Sequence, residues 1–139
     1  MVQLIVGKKG KGKTKQLLDK VNTEVKEVAG SIVYLDKSTK HMYELNNKVR
    51  LIDVSQYMVE NSSEFIGFVC GILSQDHDLQ QMYFDSFLKI AETDADGMQP
   101  VVEKLERISE AFQVDFVLSV SLDESELPES LKDRILISL

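Results

Sequence analysis

The sequence predicts an α/β protein with a mostly parallel sheet of about five strands. Three observations carry this. Short apolar runs recur along the whole chain, at 2–6, 31–36, 79–88, 114–122 and 135–139. Amphipathic stretches with helical spacing separate several of them. The first run, a glycine-rich segment and the first helical pattern follow one another directly, and the next run comes about 30 residues after the first, the span of a βαβ unit. Parallel strands with right-handed crossovers follow.

The first strand is Val2, Gln3, Leu4, Ile5 and Val6. Residues 7–14 read Gly7, Lys8, Lys9, Gly10, Lys11, Gly12, Lys13 and Thr14. They fit G-x-x-x-x-G-K-[ST] at every fixed position. Leu17, Val21, Val25 and Val28 then mark one helix face, with Leu18 beside them. Glycines let the backbone turn where a side chain would block it. Successive N–H groups can then converge on phosphate oxygens, helped by the positive end of the following helix.

In this stretch the chain resembles the P-loop NTPases. The resemblance implies a three-layer sandwich with strand order 5-1-4-3-2, the five strands being counted along the chain and the strand before the loop lying centrally. It also implies binding of ATP with Mg²⁺. Gly7, Lys8, Lys9, Gly10, Lys11, Gly12, Lys13, Thr14 and Lys15 form the binding segment. Lys13 reaches the β- and γ-phosphates, and Thr14 is a Mg²⁺ ligand. Lys8 and Lys15 read as solvated charges within it.

Composition sets the outer limits. With 139 residues, 43% hydrophobic and 28% charged, the chain reads as one soluble domain. A net charge of −7 argues against general nucleic-acid binding. A single cysteine, Cys70, leaves no internal disulfide and fits a reducing, cytoplasmic setting. The sequence opens in a strand, with no room for a signal peptide before it. The longest apolar stretch, residues 65–73, is too short to span a bilayer.

Taken in order, Gly30 is the expected left-handed stop of the first helix. The second strand runs to Asp36, at the sheet edge where open α/β sheets bind ligands. Residues 37–54 break the rhythm. His41, Met42, Tyr43, Glu44 and Leu45 alternate, and Asn46 with Asn47 can make a tight turn. A hairpin-like insertion fits these signals, and a third parallel strand at 49–54 fits them as well.

Ser62 or Ser63 can cap a helix with Phe65, Ile66, Val69, Ile72 and Leu73 on its apolar side. Cys70 reads as a buried structural thiol. The cluster Gln75, Asp76, His77 and Asp78 reads as a solvated turn, since its spacing fits no metal site. Pro100 suits the first turn of a helix carrying Val101, Leu105, Ile108 and Phe112 toward the sheet.

Asp36, Asp53 and Asp85 each end an apolar run, as the Mg²⁺-holding aspartate of P-loop proteins does. The resemblance favours Asp85 by its place along the chain, with Asp36 second. Ser86 follows Asp85 where many related ATPases carry a water-orienting glutamate, so hydrolysis is expected to be slow unless Glu92, Asp94 or Asp96 serves instead. By the same resemblance Ser121, or next to it Ser119, would sense the γ-phosphate.

The chain also resembles small bacterial P-loop proteins that bind ATP, over nearly its whole length. The carrying residues are 7–14, 49–53, 65–72, and Asp85 with Ser86. A slow ATPase is the reading this implies. The alternatives are a small-molecule or nucleotide kinase, for which Arg50 is the arginine to test, and a nucleotide-dependent switch. In the switch, a protein partner or a second copy supplies an arginine finger.

Overall fold

A computed structural model describes residues 1–139, in which six strands form one all-parallel sheet. In chain order these are β1 (Val2–Val6), β2 (Ser31–Asp36), β3 (Val49–Asp53), β4 (Leu79–Phe84), β5 (Asp115–Val120) and β6 (Ile135–Ser138). The helices are α1 (Lys13–Glu24), α2 (Ser62–Ser74), α3 (Phe87–Ile90) and α4 (Met98–Phe112). The sheet order is β3-β2-β4-β5-β1-β6. Without β3 this is the expected order of five. The difference is a sixth strand on the β2 edge, and β1 lies inside the sheet, next to its β6 edge.

Alternation along the strands builds the two outer layers. Leu4, Val33, Leu35, Met82, Phe84, Phe116 and Leu118 face one side and pack against α2 and α4. Ile5, Ile32, Tyr34, Tyr83 and Val117 face the other and pack against α1 through Leu17, Leu18 and Val21. A period of two on the strands meets a period of 3.6 on the helices, which gives a three-layer sandwich. Phe84 meets Phe65, Phe87 and Phe116 edge-on, with ring centroids 5.2 to 6.3 Å apart.

Several expectations need correction. No hairpin forms at 37–54. Residues Met42–Glu44 make a 3-10 turn, and β3 pairs in parallel with β2 from Ile32 opposite Val49 to Asp36 opposite Asp53. A clamp from α1 explains this. The Asn22 amide donates to the Glu44 carbonyl at 2.8 Å, and its oxygen accepts from the Asn46 N–H at 2.8 Å. The backbone groups a hairpin would pair are therefore held by the helix.

α1 ends at Glu24, earlier than expected, because its last turn tightens. Lys26 and Glu27 donate to carbonyls three residues back. Gly30 is no left-handed stop; it permits a close approach. A Cβ there would lie 2.0 Å from the Asp78 carbonyl oxygen and 2.8 Å from the Gln80 side chain. Gly30→Ala is therefore expected to cost roughly 1–3 kcal/mol, by the magnitude of overpacking, and chemical denaturation would read it. An unchanged midpoint would show that the β2–β4 junction yields freely.

Asn61, not Ser62 or Ser63, caps α2, its side chain accepting from Glu64 N–H at 2.9 Å. Cys70 is half-buried against the core, not fully enclosed. On α4, Val101, Leu105 and Ile108 face the sheet as expected, joined by Met98 and Val102. Phe112 at the helix end is 58% exposed instead. No helix is long and apolar enough to cross a membrane.

Candidate functional site

The segment between β1 and α1 holds three glycines with positive φ: Gly7, at 155°, packs beside Leu139 outside the cavity lining, and the other two make the turn. Gly10 is at 86° and Gly12, the residue before α1, at 91°. A side chain at either would be strained. This turn lifts the backbone over the carboxyl end of the sheet and starts α1 at Lys13. Lys13 is 8% exposed, and its ammonium donates to the Lys8 carbonyl at 3.1 Å. Burial lowers its pKa, and the nearby Asp85 opposes that.

Thr14 meets Asp85 across the sheet edge. The Thr14 hydroxyl donates to Asp85 Oδ1 at 3.2 Å. Asp85, 2% exposed, is the hub of a network. Ser119 donates to the same oxygen at 2.9 Å, and Tyr34 donates to Oδ2 at 2.8 Å. Burial and the Asp85 charge push the Tyr34 hydroxyl pKa far up, so it stays a proton donor. Ser119 also accepts from the Ser86 N–H at 2.9 Å. Ser86 takes a left-handed conformation, φ 55°, which is uncommon for a residue with a side chain. The chain thus leaves β4 sharply, holding Asp85 at the edge before α3 begins.

Lys13, Thr14, Asp85, Ser86 and Ser119 line a cavity of about 470 Å³, with Tyr34 behind them. Its walls carry Lys9, Lys13, Lys37 and Lys40 against two carboxylates, Asp36 and Asp85. Four ammonium groups around two carboxylates make a local excess of positive charge on a chain of net charge −7. Such a concavity attracts an anion.

The sequence-derived residues divide clearly. Lys9, Gly10, Gly12, Lys13 and Thr14 line the cavity. Lys8 contributes its carbonyl, while its ammonium points toward Glu126, 4.0 Å away. Lys11 is exposed outside the lining. Lys15 pairs with Asp19 at 3.0 Å on the outer face of α1 and takes no part. Ser121 borders the cavity just past the end of β5 and is exposed, whereas Ser119, inside the strand and buried, is the serine bonded to Asp85.

Among the strand-ending aspartates, Asp85 reaches Thr14. Asp53 instead accepts from Ser55 and Gln56 in its own turn. Asp36 lies in the cavity wall, 2% exposed. Its Oδ1 accepts from the Lys37 N–H at 2.7 Å, while its Oδ2 has no partner. Burial first and the Asp85 charge second raise its pKa to about 6, only partly offset by the Lys37 N–H.

Glu92, Asp94 and Asp96 lie outside this lining. Arg50 is also elsewhere, paired with Asp76 near the opposite sheet edge. The sequence reading missed His41, which joins Asp36 and Asp85 in the cavity wall. Its position five residues after a strand-ending aspartate was the available signal.

Compared with known proteins, the sequence matches no family model and no curated protein. Solved structures are similar in fold. One is the crystal structure of the flagellar accessory protein FlaH from Methanocaldococcus jannaschii, with a TM-score of 0.61 at 17% identity. The likeness covers 93% of this chain and 63% of that one, so this chain corresponds to somewhat under two thirds of that protein. Together with the six-stranded parallel sheet, the match gives the chain a three-layer sandwich of the P-loop NTPase kind.

Proposed function

We propose that the chain binds a Mg²⁺–nucleoside triphosphate, with ATP the first candidate, and turns it over slowly at most. The observation that carries this is the Thr14–Asp85 hydrogen bond beside the buried Lys13 ammonium, at the mouth of a lysine-walled cavity. The backbone turn at Gly10 and Gly12 frees N–H groups for phosphate oxygens. Lys13 supplies the charge for the terminal phosphates.

The donor set suits Mg²⁺. A hydroxyl and a carboxylate are both hard oxygen donors, and Asp85 orients the Thr14 oxygen. When bound, the ion neutralises charge on the β- and γ-phosphates. Tyr34 and Ser119 hold the Asp85 carboxylate in place.

Slow turnover is inferred from the residue after Asp85 and from the missing arginine, with Asp36 left as the carboxylate of the wall to test as a base. Ser86 has no base usable at neutral pH, and the acidic residues after α3 lie outside the cavity wall. The lining has lysines but no arginine to meet a transferring phosphoryl group. A switch whose arginine comes from a partner chain is the second reading, and the strained Ser86 next to Asp85 favours it.

Thermal unfolding with ATP, GTP and a non-hydrolysable analogue, each with Mg²⁺, tests the binding. A nucleotide at about 100 times its dissociation constant adds roughly 2.7 kcal/mol, a rise of several degrees. No rise with any nucleotide would remove this reading.

A further inference from the structure

At the cavity wall, Asp36, His41 and Asp85 come together. One side-chain ligand atom from each lies within 4.8 Å of the other two. Two carboxylates at that distance repel each other. Asp36 is 2% exposed, yet its Oδ2 has no hydrogen-bond partner. It is the one buried side-chain polar atom in the molecule without a partner. Such an atom costs stability unless something outside the chain meets it.

His41 is oriented for that task. Its Nδ1 lies 2.9 Å from Glu44 Oε1, on the turn Met42–Glu44. In the tautomer whose Nδ1–H donates to that carboxylate, Nε2 keeps its lone pair. A carboxylate behind an imidazole is the usual support of a metal-binding histidine, fixing its tautomer and raising its basicity. The Asn22 clamp on Glu44 and Asn46 holds the loop in place. Asp85 contributes as well, because an ionised carboxylate has acceptor sites beyond the three hydroxyls it receives.

We propose that Asp36, His41 and Asp85 form a divalent-cation site, distinct from the Thr14 position, that selects Zn²⁺ or Co²⁺ over Mg²⁺. The nitrogen ligand sets the preference. Imidazole suits transition metals, whereas Mg²⁺ takes oxygen ligands and gives up water reluctantly. The lysines of the wall do not block the ion. Lys9, Lys37 and Lys40 are exposed on flexible stems, and Lys13 is tied to the Lys8 carbonyl. The site shares Asp85 with the nucleotide reading but does not rest on it.

The test is a Zn²⁺ titration of the nucleotide-free protein, followed by calorimetry and by the ring ¹⁵N signals of its histidines. The chain has two, so His77, in the turn before β4, is an internal control. One equivalent of Zn²⁺ is expected to move His41 and leave His77 in place, with excess Mg²⁺ unable to reverse it. His41→Gln is expected to weaken binding at least tenfold, and Glu44→Gln by 10- to 100-fold. Lys13→Ala is expected to keep the Zn²⁺ response while losing the nucleotide response, which separates the two readings. No Zn²⁺ binding, movement of His77 instead, or unchanged affinity in His41→Gln would each overturn the proposal. The wild-type spectrum decides even if a variant fails to fold.

Discussion

Lys13→Ala is expected to weaken ATP binding about 100-fold and to leave the fold intact. The ammonium makes one hydrogen bond inside the protein, to the Lys8 carbonyl, and carries three donors in all. The others are available to phosphate oxygens. Charge-assisted bonds of this kind contribute about 1.5–3 kcal/mol each, and 1.4 kcal/mol is tenfold in affinity. The folded state loses little in exchange. Burial already lowers the lysine pKa, so the free protein pays for holding this charge. Its melting temperature without nucleotide should therefore hold or rise. Calorimetric titration with ATP and Mg²⁺, beside unfolding of the free variant, checks both halves. Wild-type affinity in the variant would sink the assignment of residues 7–14.

What the sequence shows about this molecule depends on the range of the interactions involved. Residues 7–14 were legible because spacing, backbone freedom and charge are all local there. The five-strand order came through resemblance, and the structure adds to it only an edge strand. That strand was open to two readings for a physical reason. Alternation at 41–45 fits a hairpin locally, and the choice was made by Asn22, far away on α1. Phe112 and Gly30 repeat the lesson. The first keeps the helical period of α4 but outlasts the sheet beneath it, and the second answers to a carbonyl on another strand. In the site, Asp85 was chosen from position along the chain, and its partners Tyr34 and Ser119 were not foreseeable as a network. Each lies on a different strand, and the three meet only once β2, β4 and β5 are side by side.

Asp36→Asn should stabilise the nucleotide-free, metal-free protein by about 2–3 kcal/mol at pH 7.5. The carboxyl pKa rises from 3.8 to about 6 on folding, chiefly through burial and then through the Asp85 charge. Each unit corresponds to about 1.36 kcal/mol. The sign follows from proton binding. Between those two values the folded state holds a proton that the unfolded state has released, so stability falls as pH rises through this window. Above about pH 6 the full cost of the buried charge is present, and below about pH 4 the group is neutral in both states. Asparagine carries no such charge at any pH and can still accept from the Lys37 N–H. The difference between variant and wild type should therefore be largest above pH 6.5 and fade toward pH 4. Denaturant unfolding in a chelating buffer across that range measures it, and subtracting the two curves cancels carboxylates such as Asp123, whose pKa is lowered on folding. A difference independent of pH, or a destabilised variant at pH 7.5, would contradict the account.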